Sequence, residues 1–163
     1  HLGMCFLQCP PSLGPRQWRR LMALLDLMPS EVPLAVELRH ADWFATSKAR
    51  NWLFARGQER GVVFVISDTA GRRDVVHLCL PQPTAFIRFS GDGLVPSDFE
   101  RLTGWVDRLG ELRARGLRRC FLFLHQESEG DCVELAEHLQ GLLPDAGLPA
   151  IQRVPMQAQL PFM

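Results

Sequence analysis

One rhythm governs this chain: a short apolar run, a polar loop and an amphipathic stretch, repeated five times. The runs cover residues 4–8, 34–38, 62–67, 85–89 and 120–124, and are rich in Val, Ile, Leu and Phe. A strand buried on both faces reads as such a continuous apolar run, whereas a half-exposed strand alternates. Strands separated by helical segments argue for parallel βαβ units with right-handed crossovers. The expectation is an α/β fold in which the five runs pair as neighbouring parallel strands in chain order, with helices on the outer face only.

The helices are legible between the runs. Pro15 suits a first helical turn and opens a stretch with Trp18, Leu21, Met22, Leu25 and Met28 on one face, closed by Pro29. Thr46 or Ser47 can cap a second helix, which Gly61 ends. Ser97-Asp98-Phe99-Glu100 resembles a capping box with Ser97 as cap, opening a long helix that Gly116 ends. Gly104 and Gly110 weaken that helix by ~1 kcal/mol each relative to Ala. Residues 131–143 form the last helix, stopped by Pro144, and the tail from residue 147 shows no period.

Composition bounds the rest. At 163 residues the chain fits one domain and can bury a sizeable core. Eighteen basic and eighteen acidic residues cancel, so bulk charge favours neither nucleic acid nor an anionic membrane. No apolar run approaches the ~20 residues of a membrane span. The five cysteines include Cys5, Cys9, Cys79 and Cys120 in apolar contexts, which read as buried, reduced thiols of a cytoplasmic protein. Cys5 and Cys9 lack zinc-site spacing. The chain begins at His1 and enters a strand almost at once, so a fragment missing its upstream portion is expected.

In α/β sheets ligands sit at the carboxyl ends of the strands. There the five runs deliver Gln8, then Glu37, Arg39 and His40, then Ser67 and Asp68, then Arg88, then His125. Any one has an ordinary structural reading. Asp68 could form a turn, Arg88 could neutralise Glu37, and His125 could be a hydrogen-bonded rim residue. Their convergence points to a site. Glu37, Asp68 and His125 are the candidate proton-handling residues; Gln8, Arg39, His40 and Arg88 are the candidate ligand-binding residues. Glu37, Asp68 and His125 would suit a metal ion chemically, but no spacing demands one, and no cofactor is named by the residues.

Several segments resemble the domain-of-unknown-function-72, or YecE-like, family. They are Gln8-Cys9-Pro10-Pro11-Ser12, Ala35-Val36-Glu37-Leu38-Arg39-His40 with Trp43-Phe44, Val65-Ile66-Ser67-Asp68-Thr69, and Ala85-Phe86-Ile87-Arg88-Phe89-Ser90-Gly91. The resemblance covers nearly the whole chain and implies a TIM-type (β/α) barrel, here a partial barrel of about five parallel βα units without the family's first three strands. Ala41 replaces a usual proline, Ser90 a frequent histidine, and His125-Gln126 a frequent Asn pair. The family carries no assigned activity, so the resemblance implies fold and site location but no reaction.

Three readings follow. The first is a rim-site hydrolase or isomerase acting on a small anionic or phosphorylated ligand. The second is a nucleic-acid binder or phosphodiesterase, favoured by the cluster Arg113, Arg115, Arg118 and Arg119 but opposed by the neutral net charge. The third is a non-catalytic barrel fragment that self-associates through open sheet edges.

Overall fold

The structure, a computed structural model, describes residues 3–150. Strand β1 (Cys5–Gln8) is followed by a 3-10 turn (Pro15–Gln17) that runs into α1 (Trp18–Asp26). Then come β2 (Leu34–Glu37), the short α2 (Asp42–Ala45), α3 (Ser47–Arg60), β3 (Val63–Phe64) and β4 (Ile66–Thr69). Strand β5 (Thr84–Ser90), α4 (Pro96–Ala114), β6 (Arg119–His125) and α5 (Glu129–Leu142) complete the order. The tail beyond residue 150 lies outside the described residues.

The fold is α/β with parallel pairing throughout its ladders, in two open three-stranded sheets ordered β1-β2-β3 and β4-β5-β6. This corrects the expected count of five strands. The run at residues 62–67 divides at Val65, its first part pairing with β2 and its second with β5. The reason lies in a side chain from later in the sequence. Val65 still donates its amide to the Val36 carbonyl (2.9 Å), but its own carbonyl is taken by the His77 imidazole (2.9 Å). A side chain thus satisfies the acceptor that would otherwise join a neighbouring ladder.

Among the described residues, three apolar clusters form the core. In one, Leu21, Met22 and Leu25 of α1 with Trp43, Phe44 and Leu53 cover Leu34, Val36 and Phe64 of the first sheet. In another, Leu102, Trp105, Val106 and Leu109 of α4 with Leu135 and Leu139 of α5 cover Ile66, Ile87 and Phe89 of the second. Fully burying such a side chain contributes about 1.5–3 kcal/mol. The third cluster joins Ala35, Val63, Val65 and Phe86 from strands of both sheets and includes no helix residue. Helices therefore pack against one side of the sheets, and the strands meet one another on the other.

Local signals behave mostly as the residues suggest. Thr46 caps α3 by accepting the Ala49 amide (3.2 Å), and Gly61 ends it in the left-handed region at φ 66°. Helix α4 runs unbroken through Gly104 and Gly110. Ser97 is not its cap. Pro96 occupies the first turn after Val95, and Asp98 is drawn inward to bind other partners. The cysteines are free, but only Cys9 and Cys79 are buried; Cys120 is exposed on the edge strand β6.

Candidate functional site

Side chains alternate between the two faces of a strand. On the helix-free face each strand therefore places one residue two positions before its polar rim residue: Phe6 before Gln8, Ala35 before Glu37, Val65 before Ser67, Phe86 before Arg88, and Phe123 before His125. Phe86 stacks with Phe6 (ring centroids 5.7 Å apart) and with Phe123 (4.9 Å), forming an aromatic layer directly beneath a polar one.

The polar layer bounds a cleft of about 300 Å³. Gln8, Glu37, Arg39, Arg88 and His125 line it, as the rim pattern predicts. Ser67, Thr69, Arg72, Val75 and Ser90 also line it. Glu37 is 3% exposed, and both carboxylate oxygens are engaged. Oε1 accepts the Ser67 hydroxyl (2.6 Å), and Oε2 accepts Nη1 of Arg88 (2.8 Å). A buried carboxylate persists only when paired in this way. The Arg88 guanidinium also lies 5.2 Å from the Phe6 ring centre, a cation–π contact that fixes its direction.

The remaining polar groups of the cleft are less occupied. Arg39 makes no hydrogen bond or ion pair among the described residues. Arg72 pairs with Asp74 on the loop after β4 (2.9 Å). Partial burial lowers the His125 pKa, the Arg88 charge lowers it further, and Glu37 raises it back in part; the net effect is a pKa lowered from the ordinary imidazole value. At neutral pH His125 is therefore a neutral base facing a cleft rich in guanidinium groups.

Two candidate residues lie elsewhere. Asp68 alternates with Ser67 and turns toward the helices, not into the cleft. Its carboxylate accepts Trp105 Nε1 (2.7 Å), Arg101 Nη1 (2.6 Å) and Arg73. His40 packs against Gly14, where an added Cβ would stand 2.9 Å from the ring, and its Nδ1 accepts the Asp42 amide (3.2 Å). Glu37, Asp68 and His125 do not converge, and among the described residues no group of three or more His, Cys, Asp or Glu is placed to hold a metal ion.

Strand alternation would have selected Ser67 over Asp68, because Ser67 shares parity with Val65 and Glu37's partners across the face. Arg72 and Val75 sit on an irregular loop and carry no such signal. Behind the rim, Asp98 is fully buried and binds the Asp92 amide (2.7 Å), Arg101 (2.8 Å) and Gln126 (3.4 Å). Burial alone would raise its pKa, but these bonds more than offset that and hold it below the usual value. The network leaves no room at Gly91, where a Cβ would come within 2.3 Å of Gln126 Nε2.

The basic cluster is remote from the cleft. Arg119 begins β6 and His125 ends it, a separation of about 20 Å along the strand. Among the described residues no helix is long and apolar enough to cross a membrane.

Comparison with known proteins places these features in a lineage. A family model described as "Protein of unknown function DUF72" matches residues 1–159. The UPF0759 protein YecE of Escherichia coli K12 is 30% identical over 181 residues, covering 98% of this chain and 65% of that protein. The same figures hold for YecE of Escherichia coli O157:H7. The chain thus spans about two thirds of the length of the curated relatives it matches. Two crystal structures of a DUF72 family protein from Enterococcus faecalis V583 share the fold. One has a TM-score of 0.69 at 16% identity, covering 87% of this chain and 61% of that one. The other has 0.68 at 18%, covering 96% and 63%.

Proposed function

This chain belongs to the DUF72 family of proteins of unknown function, and from that starting point we propose that its rim cleft holds a small anionic ligand, with a phosphorylated metabolite as the best-fitting class. The observation that carries this reading is Arg39, whose side chain has no partner among the described residues, in a cleft that also contains Arg72 and Arg88. Its one lining carboxylate, Glu37, is already committed to Ser67 and Arg88. A guanidinium presents a planar fork of donors suited to phosphate or carboxylate oxygens.

His125 gives this site its chemical potential. It is the lining group able to accept a proton at neutral pH, and its ring makes no hydrogen bond among the described residues. A hydrolase or isomerase would use it to move a proton while arginines hold the anion. Glu37 acts as the anchor that aims Arg88, and Asp68 as a structural residue. The stacking of Phe6 of β1 on Phe86 of β5, across strands that do not pair, supports reading the two sheets as one curved wall with the cleft at its rim. The distance of the arginine cluster from the cleft favours a small ligand over a nucleic-acid strand.

Thermal denaturation with inorganic phosphate and with a sugar phosphate tests the reading. Both anions should raise the melting temperature with concentration. Arg39→Ala should melt like wild type alone, since the Arg39 side chain bonds nothing among the described residues, yet lose the shift. If neither anion moves the wild-type transition at about 10 mM, or if Arg39→Ala responds equally, the cleft is not an anion site.

A further inference from the structure

Among the described residues the outer helical layer has one gap. Helix α1 follows β1, α2 and α3 follow β2, and α4 follows β5, but residues 70–83 between β4 and β5 form no helix. That irregular segment lies between α3 and α4 and leaves two hollows, of about 530 and 240 Å³, which share Val76, Leu78 and Arg108 and so run together as one groove.

The groove carries apolar side chains, Phe54, Val76 and Leu78, along its floor and walls, with arginines and other polar groups among them. Phe54 and Leu78 are 40% and 46% exposed there, large values for side chains with no polar atom. Arg50 and Phe54 stand one turn apart on α3. Arg101, Trp105 and Arg108 occupy one face of α4. Asp68 neutralises Arg73, and Asp98 neutralises Arg101 from beneath. Arg50 donates only to the Phe44 carbonyl and Arg108 has no partner among the described residues, so two positive charges face the groove uncompensated. Gly104 lies in the same wall, mid-helix, where glycine is costly; a Cβ added there would meet nothing within 4 Å.

We propose that this groove docks an acidic amphipathic helix from a partner protein, its apolar stripe on Phe54 and Leu78 and its flanking carboxylates on Arg50 and Arg108. A helix with apolar anchors at i, i+3/i+4 and i+7 recognises a groove of this kind, and complementary charge sets its choice of partner. Gly104 is the place where the backbone of the incoming helix passes closest. The proposal is independent of the rim cleft.

The test uses fluorescein-labelled helical peptides of about four turns, one with a leucine stripe flanked by Glu and one with Lys in place of each Glu. Fluorescence anisotropy should show saturable binding of the Glu peptide only. The double variant Arg50→Glu/Arg108→Glu should weaken it by about tenfold or more and should bind the Lys peptide instead. Gly104→Leu should fill the wall and weaken binding to a similar degree while melting no lower than wild type, since leucine favours the helix. Absence of Glu-peptide binding, equal binding of the two peptides, or variants that bind like wild type would each overturn the proposal. So would concentration-dependent self-association abolished by the double charge reversal, which would make a second copy of this chain the occupant.

Discussion

Arg88 of β5 donates to Glu37 of β2 across 2.8 Å, and this bond ties the second three-stranded sheet to the first at their carboxyl rim. Glu37 is nearly inaccessible, whereas the Arg88 side chain keeps some contact with water. The pair is therefore asymmetric: the carboxylate depends on the guanidinium more than the reverse.

Arg88→Ala should accordingly cost about 2–4 kcal/mol, toward the lower part of the range for breaking a buried pair, because a carboxylate is left with only the Ser67 hydroxyl. The double variant Glu37→Gln/Arg88→Met, which removes both charges, should recover most of that loss. Urea denaturation at neutral pH measures both. Equal stability of Arg88→Ala and wild type would mean that the two sheets do not rely on this bond.

His77 makes stability depend on pH. Burial lowers its pKa from 6.5 to about 4, against a smaller opposing effect of the bond to Val65. Its Nδ1 accepts the Cys79 amide (3.1 Å), so Nε2 carries the proton donated to Val65, and the folded ring is neutral. Below pH 6.5 the unfolded chain takes up a proton that the folded chain refuses. Stability is thus fully present above pH 6.5 and falls as pH drops toward 4, by about 3 kcal/mol in total. His125 shifts in the same direction and adds to the slope. His77→Gln, which retains a donor for Val65, should flatten the fall between pH 6.5 and 4 as followed by melting temperature; an unchanged slope would exclude His77 as its source.

Asp68 separates structure from chemistry. Asp68→Asn removes the charge that holds Arg73 and Arg101 and should lower stability by about 1.5–3 kcal/mol. Because the carboxylate faces α4, the response of the rim cleft to phosphate should persist in this variant. A stable Asp68→Asn protein that has lost its response to the anion would return Asp68 to the site.

The open edges make a further prediction. Phe6 and Phe123 are 43% and 45% exposed on β1 and β6, an edge strand of each sheet. An unpaired strand edge beside exposed apolar surface invites another chain. Sedimentation velocity should reveal self-association at micromolar concentration, and Phe6→Ser/Phe123→Lys should reduce it. A single concentration-independent monomer peak for the wild-type chain would refute this.

By itself the sequence determined the parallel α/β character, since short apolar runs between amphipathic stretches have few other ways to bury both faces of a strand. It also determined that Gln8, Glu37, Arg39, Arg88 and His125 reach one rim, because each follows its run at the carboxyl end. The cap at Thr46 and the stop at Gly61 were equally legible, being local bonds and local backbone angles. Tertiary structure decided the rest. Ser67 and Asp68 are adjacent and both polar, and only the register of β4 against β5 sends the first to Glu37 and the second to Trp105 and Arg101. Residues 62–67 read as one strand, and only His77, ten or more positions later, divides them by taking the carbonyl of Val65. Ser97 matches a capping pattern, yet Pro96 and the inward pull on Asp98 start α4 earlier. For Ser67, Asp68 and Val65 the deciding partner is distant along the chain, and a hydrogen bond satisfied at long range outweighs the preference a residue shows among its neighbours.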